Sequence, residues 1–233
     1  MEKIIAIEGI DGSGKTIQYN MLIDELSSKG FKVSSLEFPA YDSVFGKAIG
    51  NLLSGKLNVD ANSLDPMSMA LWFAADRVAQ FNKYYTENKQ KNNEFDYLVI
   101  NRYVLSNAVY QSIRCNSSSG ISDDELIDWI FTMEHKELGL PYPDLYIFLD
   151  VSQDCATHNV DKKGFREYMD GNGKDVYESK EDIQHLSRLA YLKCASKFEN
   201  INVINCMENG KLLSPQDIHC MIMQLLRQNN IIK

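Results

Sequence analysis

The chain lacks the features that would let it cross a membrane or coat a nucleic acid. None of its apolar stretches reaches the roughly 18 residues that a membrane-spanning helix needs. Acidic residues outnumber basic ones, 32 to 24, which gives a formal net charge of −8. A chain of that charge repels a phosphate backbone. We therefore expect neither a membrane protein nor a nucleic-acid-binding protein.

Paired cysteines, internal repeats and linkers are also missing. The five cysteines are odd in number and no two form a C-x-x-C, so their spacing indicates neither a disulfide framework nor a zinc site. The opening apolar run, residues 4–7, is too short for a signal peptide. With 44% hydrophobic residues, the chain is long enough to bury one sizeable core. We expect a cytoplasmic protein with a single domain over residues 1–233.

Short apolar runs alternate along the chain with longer amphipathic ones. The short runs predict strands buried on both faces of a parallel sheet: Lys3–Glu8, Lys32–Glu37, Tyr97–Asn101, Leu145–Asp150 and Asn202–Cys206. Helices are predicted over residues 15–29, 43–54, 66–90, 103–113, 122–138, 179–198 and 214–229. This alternation predicts a three-layer α/β fold. Residues 159–175 mix glycines with charges of both signs, which predicts a long loop of the kind that often serves as a lid.

A glycine-rich motif gives the first chemical signal. Residues 9–16 match G-x-x-x-x-G-K-[ST] between a predicted strand and a predicted helix. Glycines let backbone N–H groups surround phosphate oxygens, and the following helix points its positive end at them. Lys15 is expected to reach the β- and γ-phosphates, and the Thr16 hydroxyl to ligate Mg²⁺. The predicted ATP-binding residues are Gly9, Ile10, Asp11, Gly12, Ser13, Gly14, Lys15 and Thr16.

The motif alone leaves the reaction open. A GTPase would carry N-K-x-D to read guanine, whereas Asn82-Lys83 is followed by two tyrosines. A kinase for a small acceptor and a nucleotide-driven switch protein both remain. Phe73 and Arg77 are four residues apart, so a ring and a guanidinium share one helical face. Arg102 directly follows a predicted strand, at the edge where open α/β sheets bind ligands.

Several segments in order resemble the thymidylate (dTMP) kinase family, over nearly the whole chain. The segments are residues 8–16, Phe38-Pro39, residues 71–77, Arg102-Tyr103 with residues 106–111, residues 143–150 and Tyr177-Glu178. The resemblance implies a P-loop kinase fold: a five-stranded parallel sheet flanked by helices, with a lid at about 159–177. It also implies phosphorylation of dTMP to dTDP by ATP with Mg²⁺ in dTTP biosynthesis, and a homodimer.

The resemblance assigns roles to individual residues. Asp11 would contact the deoxyribose 3′-hydroxyl, Phe73 would stack on thymine and Arg77 would hydrogen-bond it. Arg102 would hold phosphate, and Tyr110 would crowd the ribose 2′ position. The full set expected to bind dTMP is Asp11, Phe38, Pro39, Tyr41, Phe73, Arg77, Arg102, Ser106, Asn107, Tyr110, Gln111 and Tyr177. Lys15, Arg102 and Arg166 are the expected catalytic residues, because together with Mg²⁺ on Thr16 they would neutralise the charge of the moving phosphoryl group.

The chain departs from the family pattern at three places. Asn101 replaces an aspartate that usually precedes the arginine, Ala40-Tyr41 replaces a basic residue, and Val176 replaces a lid arginine. Arg166 is then the lid's only arginine. Two alternatives therefore stay open: a kinase for another nucleoside monophosphate or a deoxynucleoside, and a regulator that binds nucleotides with weakened catalysis.

Overall fold

The predicted strands form one parallel sheet in a computed structural model of the chain, which describes residues 2–57, 61–115, 120–162 and 181–232. The strands are β1 (Lys3–Glu8), β2 (Val33–Glu37), β3 (Tyr97–Asn101), β4 (Leu145–Asp150) and β5 (Ile201–Asn205). Their order across the sheet is β2-β3-β1-β4-β5, and every neighbouring pair is parallel. The α/β class and the five-stranded sheet are as predicted.

Strand burial follows the apolar runs of the sequence. Every residue of β3 and β4 is buried, and so is β1 beyond Lys3, whereas the edge strand β2 is partly exposed. The register pairs Ile7 with Asn101 and Glu8 with Phe148. The carboxyl end of β1 therefore lies between the ends of β3 and β4, the position at which open α/β sheets bind ligands.

Eight α-helices flank the sheet in the described part of the chain. They are α1 (Lys15–Ser28), α2 (Val44–Leu53), α3 (Pro66–Lys91), α4 (Val104–Ser112), α5 (Asp123–Phe131), α6 (Gln153–Lys162), α7 (Glu181–Lys197) and α8 (Pro215–Gln228). Side chains of Ser43, Asp65, Ser122 and Ser214 cap α2, α3, α5 and α8, each accepting a backbone N–H three residues on. At Ser122 a complete capping box forms with Glu125. None of the described helices is long and apolar enough to span a membrane.

The helix predicted over residues 122–138 is divided. Helix α5 ends at Phe131, and Thr132–Glu137 continue as a turn of π-helix. Leu138 N–H donates to the Met133 carbonyl oxygen, five residues back, at 2.9 Å. The wider turn places Met133, Glu134 and His135 all in the interior. An amphipathic period of 3.6 residues does not distinguish such a turn from an α-helix.

Two elements were missed by the sequence-based expectations. Helix α6 extends to Lys162 and so includes the first residues of the expected loop 159–175, while residues 163–175 lie outside the described residues. Its sequence is mostly polar, so no apolar stripe signals it. A hairpin of β6 (Met207–Glu208) and β7 (Lys211–Leu212) turns at Asn209-Gly210, both with positive φ. That Asn-Gly pair is a hairpin signal available from the sequence.

Candidate active site

The glycine-rich loop runs from β1 to α1 as the motif predicts. Gly12 has φ of 83°, and a Cβ there would lie 2.1 Å from the Ala156 carbonyl oxygen of α6. Gly14 precedes the first turn of α1 with φ of 87°. The loop therefore needs glycine for two reasons, a left-handed backbone and a close approach by α6. The positive end of the α1 dipole therefore lies at this loop, where it attracts an anion.

Lys15 and Thr16 stand at the start of α1, on the wall of one cavity. The Lys15 ammonium donates to the carbonyl oxygens of Gly9 and Ile10 at 2.9 and 2.8 Å. Its charge is therefore held against the loop that the motif predicts to surround phosphate. This is the arrangement that lets a lysine act as a point charge on a nucleotide's phosphate groups.

Arg102 joins the glycine-rich loop to the other half of the cavity. It follows β3 with φ of 63°, an uncommon left-handed backbone for a residue with a side chain. Its guanidinium forms an ion pair with Asp11 and lies 5.6 Å from the Tyr110 ring centroid. The Tyr110 hydroxyl donates to the second Asp11 oxygen at 3.4 Å. Burial opposes the charge of Arg102, but Asp11 beside it raises the pKa of the guanidinium well above its ordinary value.

A buried carboxylate that the sequence did not single out supports this cluster. Glu8, the last residue of β1, accepts the N–H groups of Tyr103 and Ser106 at 2.7 and 3.3 Å, at the start of α4. It also accepts the Ser106 hydroxyl at 2.5 Å and the Tyr191 hydroxyl at 3.0 Å. Burial raises the pKa of Glu8, although these hydrogen bonds and Arg102 oppose the shift. Glu8 therefore connects β1 to α4 and α7 through hydrogen bonds.

The far end of the cavity carries an aromatic ring and three polar side chains. Phe73 and Arg77 lie on α3, and Asn107 and Gln111 lie on α4. Arg77 is held by Glu134, which accepts its Nε at 2.5 Å and its Nη2 at 2.6 Å. The ring and the guanidinium thus face the same space, as their spacing of four residues predicts.

The loop after β2 forms a side wall. Phe38 packs into an aromatic cluster with Phe81 and Tyr103, and the peptide bond to Pro39 is cis. The Asp76 carboxylate of α3 accepts the Ala40 N–H at 2.8 Å and the Ser43 hydroxyl at 2.8 Å. Asp76 therefore fixes the path of this loop, and sequence reasoning gave it no role.

One cavity of about 630 Å³ brings most of the expected residues together. The expected residues on its wall are Asp11, Gly12, Gly14, Lys15, Thr16, Phe38, Pro39, Tyr41, Phe73, Arg77, Arg102, Ser106, Asn107, Tyr110 and Gln111. Tyr19, Glu37, Gln80 and Asn101 also line it and were not expected. Arg166 and Tyr177 lie outside the described residues.

Oxygen atoms suited to a magnesium ion lie at the strand ends. Asn101 Nδ2 donates to Glu37 Oε1 at 2.7 Å, which leaves the buried Asn101 Oδ1 without a hydrogen-bond partner. Thr16 lines the same cavity. Carboxylate, amide and hydroxyl oxygens are the ligands that Mg²⁺ accepts. The residues present therefore fit the ion, although the described residues contain no cluster of three His, Cys, Asp or Glu.

Comparison with known proteins identifies the family. The family model described as "Thymidylate kinase" matches residues 7–216, which include every strand of the sheet except the first residues of β1. The chain belongs to the thymidylate kinase family. The resemblance predicted from the motifs is thereby confirmed.

Relatives in the thymidylate kinase family cover most of the chain. A thymidylate kinase of Mycobacterium tuberculosis is 29% identical over 195 residues, covering 83% of this chain and 86% of that protein. A probable thymidylate kinase of Methanococcus aeolicus is 30% identical over 240 residues, and both chains are covered completely.

Solved structures of the thymidylate kinase family share the fold. The thymidylate kinase of Candida albicans superposes with a TM-score of 0.69 at 22% identity, covering 99% of this chain and 93% of that one. The thymidylate kinase of Ehrlichia chaffeensis gives a TM-score of 0.63 at 22% identity, covering 97% and 98%. At these identities the likeness shows the fold, a P-loop kinase architecture.

Proposed function

We propose that the chain transfers the terminal phosphoryl group of ATP to dTMP, giving ADP and dTDP for dTTP synthesis. The observation that carries the proposal is the single cavity that joins Lys15 and Thr16 at one end to Phe73 and Arg77 at the other. The first pair suits a polyphosphate and the second suits a planar base. Membership of the thymidylate kinase family supports dTMP as the acceptor.

The transfer depends on positioning and charge neutralisation, since the acceptor phosphate is already ionised. We propose that Lys15 binds the donor's β- and γ-phosphates and that Arg102 binds the phosphate groups where donor and acceptor meet. Arg102 lies where these groups would meet because it contacts both Asp11 in the glycine-rich loop and Tyr110 on α4. We propose that Arg166 of the lid supplies a further positive charge to the phosphoryl group. Tyr177, at the end of the lid, is proposed to bind dTMP.

The sugar of the acceptor is proposed to lie between Asp11 and Tyr110. One Asp11 oxygen pairs with Arg102 and the other accepts the Tyr110 hydroxyl, so both side chains have fixed orientations. Asp11 would then accept the 3′-hydroxyl, while the Tyr110 ring fills the space that a 2′-hydroxyl needs. Phe73 would stack on the base, and Ser106, Asn107 and Gln111 would complete the wall.

Mg²⁺ is proposed to accompany ATP. Thr16 would ligate it, and the Asn101 amide oxygen and the Glu37 carboxylate lie at the neighbouring strand ends to support it or its waters. The ion would supply positive charge to the donor's phosphate oxygens. Glu37 would in this way compensate for the amide that Asn101 has in place of the usual carboxylate. We also propose a cytoplasmic homodimer.

An ADP-release assay tests the activity. ADP release should require dTMP, with dTDP as the second product, and should be slower with dUMP, dCMP, dGMP or thymidine. Lys15→Ala should lower turnover by at least about a hundredfold because the phosphoryl group loses a fixed positive charge. Lys47→Ala, which changes an exposed lysine of α2, should leave it unchanged.

Three results would contradict the proposal. ADP release that is independent of any acceptor would indicate a nucleotide-driven switch protein. A higher kcat/KM for another acceptor would reassign the substrate. Binding of ATP and dTMP without turnover would indicate a regulator.

A further inference from the structure

Glu134 is a fully buried carboxylate behind the base end of the cavity. It lies in the π-helical turn after α5, and it is not among the described residues that line the cavity. It accepts two N–H groups of Arg77 at 2.5 and 2.6 Å, and Nδ2 of Asn107 at 2.8 Å. One carboxylate thus binds two of the polar side chains at the base end, Arg77 and Asn107.

This contact fixes which way the Asn107 amide points. Its Nδ2 donates to Glu134 Oε1 and to the Ala70 carbonyl oxygen at 3.0 Å. A flipped amide would set its oxygen against two acceptors, so the orientation is determined by the network. Asn107 Oδ1 is then a buried acceptor without a hydrogen-bond partner, in a residue on the cavity wall.

The same contact fixes the donor. Glu134 occupies Nε and Nη2 of Arg77, a two-point contact that sets the plane of the guanidinium. Nη1 is the nitrogen that remains for a ligand. Arg77 and Asn107 are 2% and 3% exposed, so neither side chain has room to adopt another orientation.

We propose that Glu134 is a positioning residue that selects the base class of the acceptor. It presents one donor, Arg77 Nη1, beside one acceptor, Asn107 Oδ1. That pair complements a base edge with a carbonyl oxygen next to a ring N–H, as in a 4-oxopyrimidine. A 4-aminopyrimidine offers a donor and an acceptor in the reverse order, and would leave buried polar groups unpaired. This inference rests on the proposed function.

The sharpest test compares dUMP with dCMP, since both lack the 5-methyl group and differ only along this edge. Dissociation constants are measured by calorimetry and kcat/KM by ADP release. The wild type should prefer dUMP by at least about tenfold. Glu134→Gln should reduce that preference by about tenfold, because its amide gives Arg77 and Asn107 no single charged acceptor. Glu134→Asp, which keeps the charge on a shorter side chain, should reduce it less.

Two readouts separate positioning from general damage. The ratio of kcat/KM for dTMP to kcat/KM for dUMP reports on recognition of the methyl group. That ratio and the KM for ATP should stay within about twofold of their wild-type values in each variant. Glu137→Gln makes the same chemical change at an exposed position three residues on and should change nothing. Should Glu134→Gln fail to fold, Glu134→Asp decides alone.

The outcomes that overturn the inference differ from those that overturn the proposed function. If the wild type binds dUMP and dCMP equally, Arg77 and Asn107 do not select the base edge, whatever the activity of the protein. If the Glu134 variants keep the preference for dUMP over dCMP within twofold of wild type, Glu134 does not position the base-reading groups. The same conclusion follows if the variants lose discrimination of the methyl group and affinity for ATP together with that preference. A wild type that fails to phosphorylate dTMP refutes the proposed function, while the binding comparison still tests Glu134.

Discussion

Most side chains of this site interact with partners that are far away in the sequence. Glu8 and Tyr191 are 183 positions apart, and Arg77 and Glu134 are 57 apart. Each pair buries a carboxylate, which is stable only with hydrogen-bond donors around it. The positive charge of Arg77 and the negative charge of Glu134 neutralise each other. For Glu8 the hydrogen-bond donors are all neutral and the only charge that favours the carboxylate is Arg102 nearby, so burial dominates and the pKa of Glu8 is raised.

The raised pKa of Glu8 predicts a stability effect with a definite sign. Above the ordinary carboxylate pKa the unfolded chain loses its proton while the folded chain keeps it, so folding becomes less favourable as pH rises. Glu8→Gln does not titrate. Its unfolding free energy relative to wild type should therefore increase from about pH 4.5 upward, by at most about 1.4 kcal/mol per pH unit, and level off above the folded pKa.

Denaturant unfolding between pH 4 and pH 8 measures this difference, with exposed Glu137→Gln correcting for the general loss of a negative charge. A difference that is flat with pH, or that falls as pH rises, would show that the hydrogen bonds at Glu8 outweigh its burial.

Phe73 is predicted to affect the acceptor and not the donor. Stacking of a base on an aromatic ring is worth about 1–3 kcal/mol, so Phe73→Ala should raise the KM for dTMP by roughly 5- to 150-fold and leave the KM for ATP unchanged. Tyr85→Ala, on the same helix but away from the cavity wall, is the control. Steady-state kinetics decide, and a larger effect on ATP would move Phe73 out of the acceptor end.

At the scale of secondary-structure elements, α6 and α7 both form hydrogen bonds with the glycine-rich loop. Asn159 of α6 donates to the Gly12 carbonyl oxygen at 2.9 Å, and Gln184 of α7 accepts the Asp11 N–H at 3.1 Å. These helices flank residues 163–180 in sequence. The loop's shape therefore depends on helices that come late in the chain, which the motif by itself does not reveal.

Gly12→Ala is predicted to destabilise the protein more than an equivalent change elsewhere. At Gly30, φ is 88° and the space is open, so Gly30→Ala should cost only the left-handed backbone, about 1–2 kcal/mol. At Gly12, φ is 83° and the new Cβ would also meet Ala156. Its loss of unfolding free energy should be clearly larger, and ATP binding should weaken. If both variants lose the same unfolding free energy, α6 moves away from the new Cβ at no cost in free energy.

At the scale of the whole molecule, apolar surface remains on two helices that pack together. Val44 and Phe45 of α2 are 83% and 42% exposed, and Leu71 and Trp72 of α3 are 48% and 37% exposed. Exposed apolar side chains in this number mark a surface suited to a partner. They support the proposed homodimer, in which two copies would cover these helices.

Sedimentation equilibrium is expected to give the mass of two chains. Leu71→Glu should shift the protein towards one chain, because a carboxylate in an apolar interface costs several kcal/mol without a partner. Leu212→Glu, in the small hairpin, should not. A wild type with the mass of a single chain, or equal behaviour of the two variants, would contradict the proposed dimer surface.

Local sequence patterns are enough to predict those parts of this protein that depend on neighbouring residues. The five strands of the sheet, most of the helices and the glycine-rich loop follow from local periodicity and backbone freedom. The resemblance of the segments from Phe38 to Gln111 to the thymidylate kinase family predicted which residues line the far end of the cavity. Other features depend on the path of the whole chain and are seen only in the folded structure: the strand order, the contacts of α6 and α7 with the glycine-rich loop, and the burial of Glu8 and Glu134. A carboxylate's partners are set by packing, and no local pattern records which distant donors will surround it.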